Sequence, residues 1–410
     1  MAADGASGPS VLAALAAAAD AHANVVHVLG FLHLLAAAGA SLAVATAVRG
    51  SRPGWRRARA LLPCVLYNLL LPSTVWRWQA AALAGRFRGG RFDRFEYSLP
   101  SICTTAWLSW MLNSKLLLFA SGAEPYESLM RSRPLAGAGC LFFAVVPERA
   151  PPAGAAGRGA RGRRQPFAAG TAAYAAAVVL LAASFRALEG DAGDALFGAH
   201  KLRALRWIVA NGLMSLLAGS YMFNALVARD LMGVAVITPF RNPYTSRSLA
   251  DFWSARWNIL ISDLLRGTVY RPAAAALGRT PAAAVVGVLL SFAVSGLMHE
   301  LMVVHLDPAR VGSFMLFFAS HGAAVCLEGA ASRRAGLGRA LASLLGPAAA
   351  RWASFLCTFA FVYVTTELFF VPAIEGMRLP AYLRRVATDV EAVAAAAVGS
   401  SAAGPYGADL

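Results

Sequence analysis

Eight apolar runs of near-bilayer length recur along this chain, at 24–48, 58–75, 100–121, 166–185, 207–227, 282–304, 311–328 and 352–371. A span needs roughly 20 consecutive apolar residues. Lipid offers no partner to an unpaired backbone N–H or C=O, so such runs cross as helices. The pattern predicts an all-α, polytopic transmembrane helical bundle of about eight spans, with roughly seven to ten as the range. Two further runs, 11–19 and 135–146, are too short to cross and read as interfacial or re-entrant.

Composition agrees. The chain is 58% hydrophobic and 14% charged, with a mean hydropathy of +0.56; a soluble domain carries about a quarter charged residues. The net charge of +16 is almost all arginine, since Lys115 and Lys201 are the only lysines. Arginines cluster at 49–59, 86–94 and 158–164, which suits loops facing anionic headgroups or a polyanionic ligand. No soluble basic domain is visible, so nucleic acid is not expected as a partner. Cys64, Cys103, Cys140, Cys326 and Cys357 lie in apolar runs without CxxC spacing. They read as small buried hydrophobes rather than a disulfide framework or zinc site.

The first long run is too long for a signal-peptide core and no basic segment precedes it, so a retained span is expected. The organisation is one membrane domain over 24–372, after an N-terminal segment at 1–23. A Pro/Gly/Arg-rich loop interrupts it at 147–165, and a tail follows at 373–410. No internal repeat is evident. A proton-coupled transporter, the rival from another class, is expected to carry such repeats.

One connector is patterned. Residues 239–272 read PFRNPYTSRSLADFWSARWNILISDLLRGTVYRP. Ser248-Leu-Ala-Asp251 fits a capping box, so a helix near 249–265 is predicted. On a wheel Trp253, Trp257, Leu260 and Leu264 form an apolar stripe, while Asp251, Ala255, Asn258 and Ser262 form a polar or small one. This amphipathic helix belongs at the membrane interface. The bland reading is a surface helix that only anchors a loop. Against it stand Asn258 on the polar face and the flanking Arg247, Arg256, Arg266 and Arg271, whose planar forks suit phosphate.

The second patterned stretch is Phe292 to His305, FAVSGLMHELMVVH. A zinc protease needs His-Glu-x-x-His, with both imidazoles on one face. Here the second His comes six residues after His299, about 120° away round the helix, so no metal site is expected. Ser291, Ser295 and His299 do share a face, and Gly296 beside it permits close approach of a helix or ligand. His299 reads either as an acid–base group or as a packed His bonded to a neighbour. An ionisable group inside a span is a functional candidate because it is costly to keep there. Glu300 reads as support. His321 could line the same cavity, with Glu328 seven residues on, but the structural reading is favoured. His-x3-Asp, His-x4-Asp and Gly-x-Ser-x-Gly patterns are absent from the sequence.

Four motifs carry a family resemblance. SLADFWSARWN (248–258), followed by LLRGTVYRP (264–272), resembles the plant wax synthase group of the membrane-bound O-acyltransferase superfamily. SGLMHEL (295–301), WLSWMLNSKLLLFASG (107–122) and FFASHG (317–322) resemble further segments of that family, in its order. The resemblance runs from about residue 20 to 372. It implies an acyl-CoA-dependent transfer to a long-chain alcohol, in a multi-pass protein of the endoplasmic reticulum. Acyl-CoA is the co-substrate and no cofactor is implied. It implies His299 and Asn258 as the catalytic pair. Asp251, Phe252, Trp253, Arg256 and Trp257 line or support the acyl-CoA site, and Arg247 and Ser295 join them as candidate substrate contacts. Glu300 and His321 stand behind them. A sterol or diacylglycerol acceptor and an inactive scaffold remain as alternatives.

Overall fold

The computed structural model describes residues 11–83, 109–149, 167–189, 191–304, 311–334 and 337–372. The loop expected at 147–165, the tail at 373–410 and His305 fall largely or wholly outside them. The described residues are predominantly helical, and five helices are long and apolar enough to cross a membrane: Val28–Ala47, Phe167–Leu188, Pro281–Leu301, Ser313–Ala331 and Ala348–Phe370. A sixth is a bent pair, Trp55–Leu71 and Ser73–Gln79. The apolar surface supports this reading. Leu70, Leu180 and Leu356 are 63%, 67% and 60% exposed, which suits lipid rather than water. The protein is a multi-pass membrane protein. The short run 11–19 proves to be the start of one long helix, α1 (Val11–Ala47), and 135–146 overlaps only the short helix α5 (Pro134–Phe142).

The chain forms two compact units. The first takes the described part of Met1–Ala150 with Met232–Ala235 and Leu260–Cys326. Here α1 packs on α2 (Trp55–Leu83), with Leu34, Ala37, Leu71 and Val75 in their shared core. A polar relay stitches them to α3 (109–120). Asn68 donates to Ser41 at 3.1 Å and to Asn113 at 3.0 Å, and Asn113 donates to the Val65 carbonyl at 3.0 Å. Inside an apolar bundle such amides find partners on neighbouring helices. Lys115, fully buried, donates to the carbonyls of Cys140 (2.8 Å) and Phe143 at the end of α5 (Pro134–Phe142). A donor there satisfies carbonyls that the helix end leaves unpaired.

Arg57 corrects the expectation for the 49–59 arginine cluster. It is fully buried rather than facing headgroups. Its guanidinium pairs with Glu127 of α4 (Tyr126–Ser132) and donates to the carbonyls of Phe119 (3.0 Å), Arg49 (3.3 Å) and Ser51. It also lies 4.4 Å over the Phe119 ring. Arg131 bonds the same carboxylate. One side chain therefore ties the 49–51 turn, α2, α3 and α4 together.

The second unit contains α6 (Phe167–Glu189), α7 (Asp191–Phe197) and α8 (Lys201–Asp230). α6 and α8 form a hairpin that closes at small residues. A Cβ on Gly219 would stand 3.1 Å from Tyr174 Cβ, and one on Gly170 3.4 Å from Met222. Glu367, in the π-turn Thr366–Phe370, accepts from the Trp207 indole at 3.1 Å, and Trp207 stacks on Tyr363 at 4.8 Å. An acid in an apolar segment thus has its donor in place.

Burial raises the Glu127 carboxyl, but the hydrogen bonds and charges of Arg57 and Arg131 outweigh it and hold the group below the ordinary carboxylate value. A carboxylate depressed in the folded state stabilises above its unfolded pKa, about 4.3, and loses that contribution as pH falls through the folded value. Thermal unfolding in detergent checks this. Glu127→Gln lowers Tm near neutral pH, and its gap from wild type closes only at pH values below about 4.3. Arg57→Ala, which leaves Glu127 with Arg131 alone and frees three carbonyls, should cost up to about 3 kcal/mol in the same measurement.

Candidate active site

The patterned connector lies in the second unit as far as Ile259. The expected cap forms: Ser248 Oγ accepts from Asp251 N at 2.8 Å. The continuous helix predicted over 249–265 does not. α9 covers only Leu249–Asp251, a π-turn follows at Phe252–Arg256, and α10 begins afresh at Ile259 (Ile259–Leu265). Trp257 N closes the π-turn on Phe252 O at 2.8 Å. Trp257 then goes extended, and Asn258 adopts a φ of 40°. Asparagine tolerates that left-handed corner better than most residues. The two wheel stripes therefore do not run through the break. Phe252 instead gathers Trp257, stacked at 5.5 Å, and Trp253, edge-on at 5.1 Å, while Phe240 packs against Trp257 at 5.3 Å.

Two backbone bonds bracket Asn258: Arg241 N to Arg256 O at 2.9 Å and Ile259 N to Pro239 O at 2.8 Å. Its side chain is hydrogen-bonded to the Tyr221 hydroxyl of α8. Arg256 donates Nε to Asp251 Oδ2 at 2.7 Å and Nη1 to Thr245 Oγ1 at 2.7 Å. Asp251 Oδ2 also accepts from Arg247 N at 3.3 Å. Asp251 and Arg256 thus brace the connector, while the Arg247 side chain is exposed. Glu328, noted seven residues beyond His321, is engaged with the connector. Its two oxygens accept from Leu249 N (3.1 Å) and Ala250 N (3.0 Å). Neither Tyr221 nor this use of Glu328 was legible in the sequence, because each partner lies far along the chain with no local pattern.

His299, Ser295, Glu300 and His321 lie in the first unit. α12 (Pro281–Val303) starts at a Thr280 cap with Pro281 in its first turn, the position proline favours. With the span at Pro281–Leu301, its midpoint is residue 291. His299 then stands about 12 Å from the midplane, toward one membrane face. Gly296 brings α13 (Ser313–Arg334) close: a Cβ there would meet Met315 Sδ at 2.8 Å and Met315 Cα at 3.2 Å. Gly322 does the same against Phe292 at 2.9 Å. Through this close crossing Phe318 and Phe314 reach the half-buried imidazole, at 4.5 and 5.4 Å between rings. His299 Nδ1 lies 2.7 Å from Ser295 O. A backbone carbonyl only accepts, so Nδ1 carries the hydrogen and Nε2 keeps its lone pair. That tautomer can take a proton from a hydroxyl at Nε2.

Glu300 Oε1 accepts from Met315 N at 2.8 Å, capping the first turn of α13. His321 is fully buried with its ring 4.4 Å from Phe317. Among the described residues, no three His, Cys, Asp or Glu side chains are grouped to hold a metal ion.

The corner at Asn258 makes a backbone prediction. An L side chain with a Cβ costs about 1–2 kcal/mol in the left-handed region, and glycine does not. Asn258→Ala should therefore melt below Asn258→Gly in detergent by that margin, although both lose the bond to Tyr221.

Residues 238–320, which hold both Asn258 and His299, match the model of the "Membrane bound O-acyl transferase family". A long-chain-alcohol O-fatty-acyltransferase of Simmondsia chinensis is 38% identical over 109 residues, 26% of this chain. That match spans only 31% of the relative's own length. A probable long-chain-alcohol O-fatty-acyltransferase 2 of Arabidopsis thaliana is 27% identical over 324 residues, covering 78% of this chain and 82% of the relative. An acyl-CoA–sterol O-acyltransferase 1 of Arabidopsis thaliana is 27% identical over 248 residues, 57% of this chain and 66% of the relative. Residues 238–320 are thus similar to the membrane bound O-acyl transferase family, and the chain is similar over most of its length to a probable long-chain-alcohol O-fatty-acyltransferase of plants.

Proposed function

We propose that the chain moves a fatty acyl group from acyl-CoA to the hydroxyl of a long-chain alcohol, giving a wax ester and free CoA. The observation that carries this reading is the tautomer of His299, whose Nδ1 is occupied by the Ser295 carbonyl. Nε2 takes the alcohol proton as the oxygen attacks the thioester carbon. The C–O bond forms, and a tetrahedral oxyanion develops. The Asn258 amide supplies a hydrogen bond to that charge, in the position that Tyr221 and the two bracketing backbone bonds define. The C–S bond then breaks, and the imidazolium returns its proton to the CoA thiolate. The chemistry is carried by side chains and calls for no metal or cofactor.

Placement supports the reading. Fatty alcohol and acyl chain partition into lipid, whereas CoA is water-soluble and polyanionic. A base about 12 Å from the midplane can be reached from both sides of that boundary. Arg247, exposed on the connector, is proposed to meet the CoA phosphates. Phe252, Trp253 and Trp257 are proposed to border the acyl-CoA site that Asp251 and Arg256 brace. We assign the protein to the endoplasmic reticulum membrane, where lipid acceptors are made.

A sterol acceptor is the second reading, favoured by the sterol-acyltransferase relative. It uses the same base and differs only in the shape of the acceptor cavity. The test is purified protein in nanodiscs with labelled acyl-CoA and a panel of fatty alcohol, sterol and diacylglycerol. Fatty alcohol should give the highest kcat/KM, with one CoA released per ester. Preference for sterol overturns the acceptor; no ester from any hydroxyl overturns acyl transfer.

A further inference from the structure

Glu328 sits in α13, within the membrane-length segment Ser313–Ala331. A carboxylate in such a helix is costly unless its oxygens are occupied. Both are, by two consecutive amides of one turn: Leu249 N at 3.1 Å and Ala250 N at 3.0 Å. These are the first two N–H groups of α9, the ones an isolated helix leaves unpaired. Ser248 Oγ takes the third, from Asp251. The helical segment that α9 and the π-turn form together ends at Arg256, and its own bonds leave those first N–H groups unmet. Glu328 supplies what the turn lacks.

The turn then hands its geometry on. Asp251 ends α9 and holds Arg256 Nε at 2.7 Å across the π-turn. Arg256 O accepts from Arg241 N at 2.9 Å, two residues before the left-handed corner at Asn258. We propose that Glu328 is the positioning residue for Asn258: its carboxylate clamps the Leu249–Ala250 turn and so fixes the angle at which the Asn258 amide is presented. The kinetic part of this proposal rests on the acyl-transfer reading. The clamp itself does not.

The test uses full-length protein in nanodiscs, as wild type, Glu328→Gln, Glu328→Asp, Asn258→Ala and the Asn258→Ala/Glu328→Gln double variant. Gln offers one acceptor and turns an N–H toward the second amide. Amide hydrogen exchange over 246–258 reads the clamp without any activity. Exchange at Leu249 and Ala250 should rise by about tenfold in Glu328→Gln. Ester formation should show kcat down by about tenfold with KM for acyl-CoA within about twofold, as for an interaction made only in the transition state. Glu328→Asp, which keeps the carboxylate, should recover part of both. In the Asn258→Ala background Glu328→Gln should cost less than about twofold further, because its route to the reaction is already gone. Unchanged exchange in Glu328→Gln overturns the clamp, and losses that multiply in the double variant overturn the route through Asn258. Should Glu328→Gln fail to fold, Glu328→Asp carries the same readings, and wild-type exchange and kcat in it overturn the proposal. A wild type that esterifies nothing removes the acyl-transfer reading, while the exchange measurement still decides the clamp.

Discussion

A polar group withdrawn from water into an apolar bundle must find its partners inside the protein, and that constraint arranges most of what is unusual in this molecule. Arg57 meets it with Glu127 and three backbone carbonyls. Lys115 meets it with two carbonyls at the end of α5. The Asn68 amide nitrogen meets it with Ser41 and Asn113. In every case the group joins elements that are separate in sequence. The same rule reaches the candidate site, where Glu300 caps the first turn of α13 and Glu328 caps the first turn of α9. Both carboxylates serve backbone amides; Glu300 does so from the position next to His299 on α12, and Glu328 does so at the turn that precedes the Asn258 corner.

Much of this was legible in the sequence because its cause is local. Apolar runs of bilayer length gave the helices their places, since length and composition decide whether a segment can sit in lipid. Ser248 capped Asp251 because that contact spans three residues. Gly296 marked a close crossing because a missing Cβ has few other uses inside a span. The failures share a cause as well. The helix expected over 249–265 broke at Trp257–Asn258, where one left-handed residue outweighs a good wheel pattern. Periodicity carries no record of a single dihedral. Arg57 read as a loop cation because its partner, Glu127, lies seventy residues away. The role of Glu328 left no mark in the sequence because its amides lie 78 and 79 residues upstream.

The proposed reaction calls on an imidazole whose Nδ1 meets the Ser295 carbonyl and on an amide at a braced corner. Neither group acts on its own in the proposed reaction. A base without an oxyanion donor leaves the developing charge unmet, and a donor without a base leaves the hydroxyl protonated. The small residues of α12 and α13 and the π-turn of the connector carry little chemistry themselves. They bring Phe314 and Phe318 against His299, and they turn the chain at Asn258.

The central claim is that His299 is the base. The most direct measurement is ester formation by His299→Ala protein in nanodiscs, from labelled acyl-CoA and fatty alcohol, alongside acyl-CoA binding by the same sample. The account predicts binding close to wild type and turnover lower by about 10²–10⁴-fold, the usual worth of a positioned general base. Wild-type turnover in a folded His299→Ala protein would contradict it.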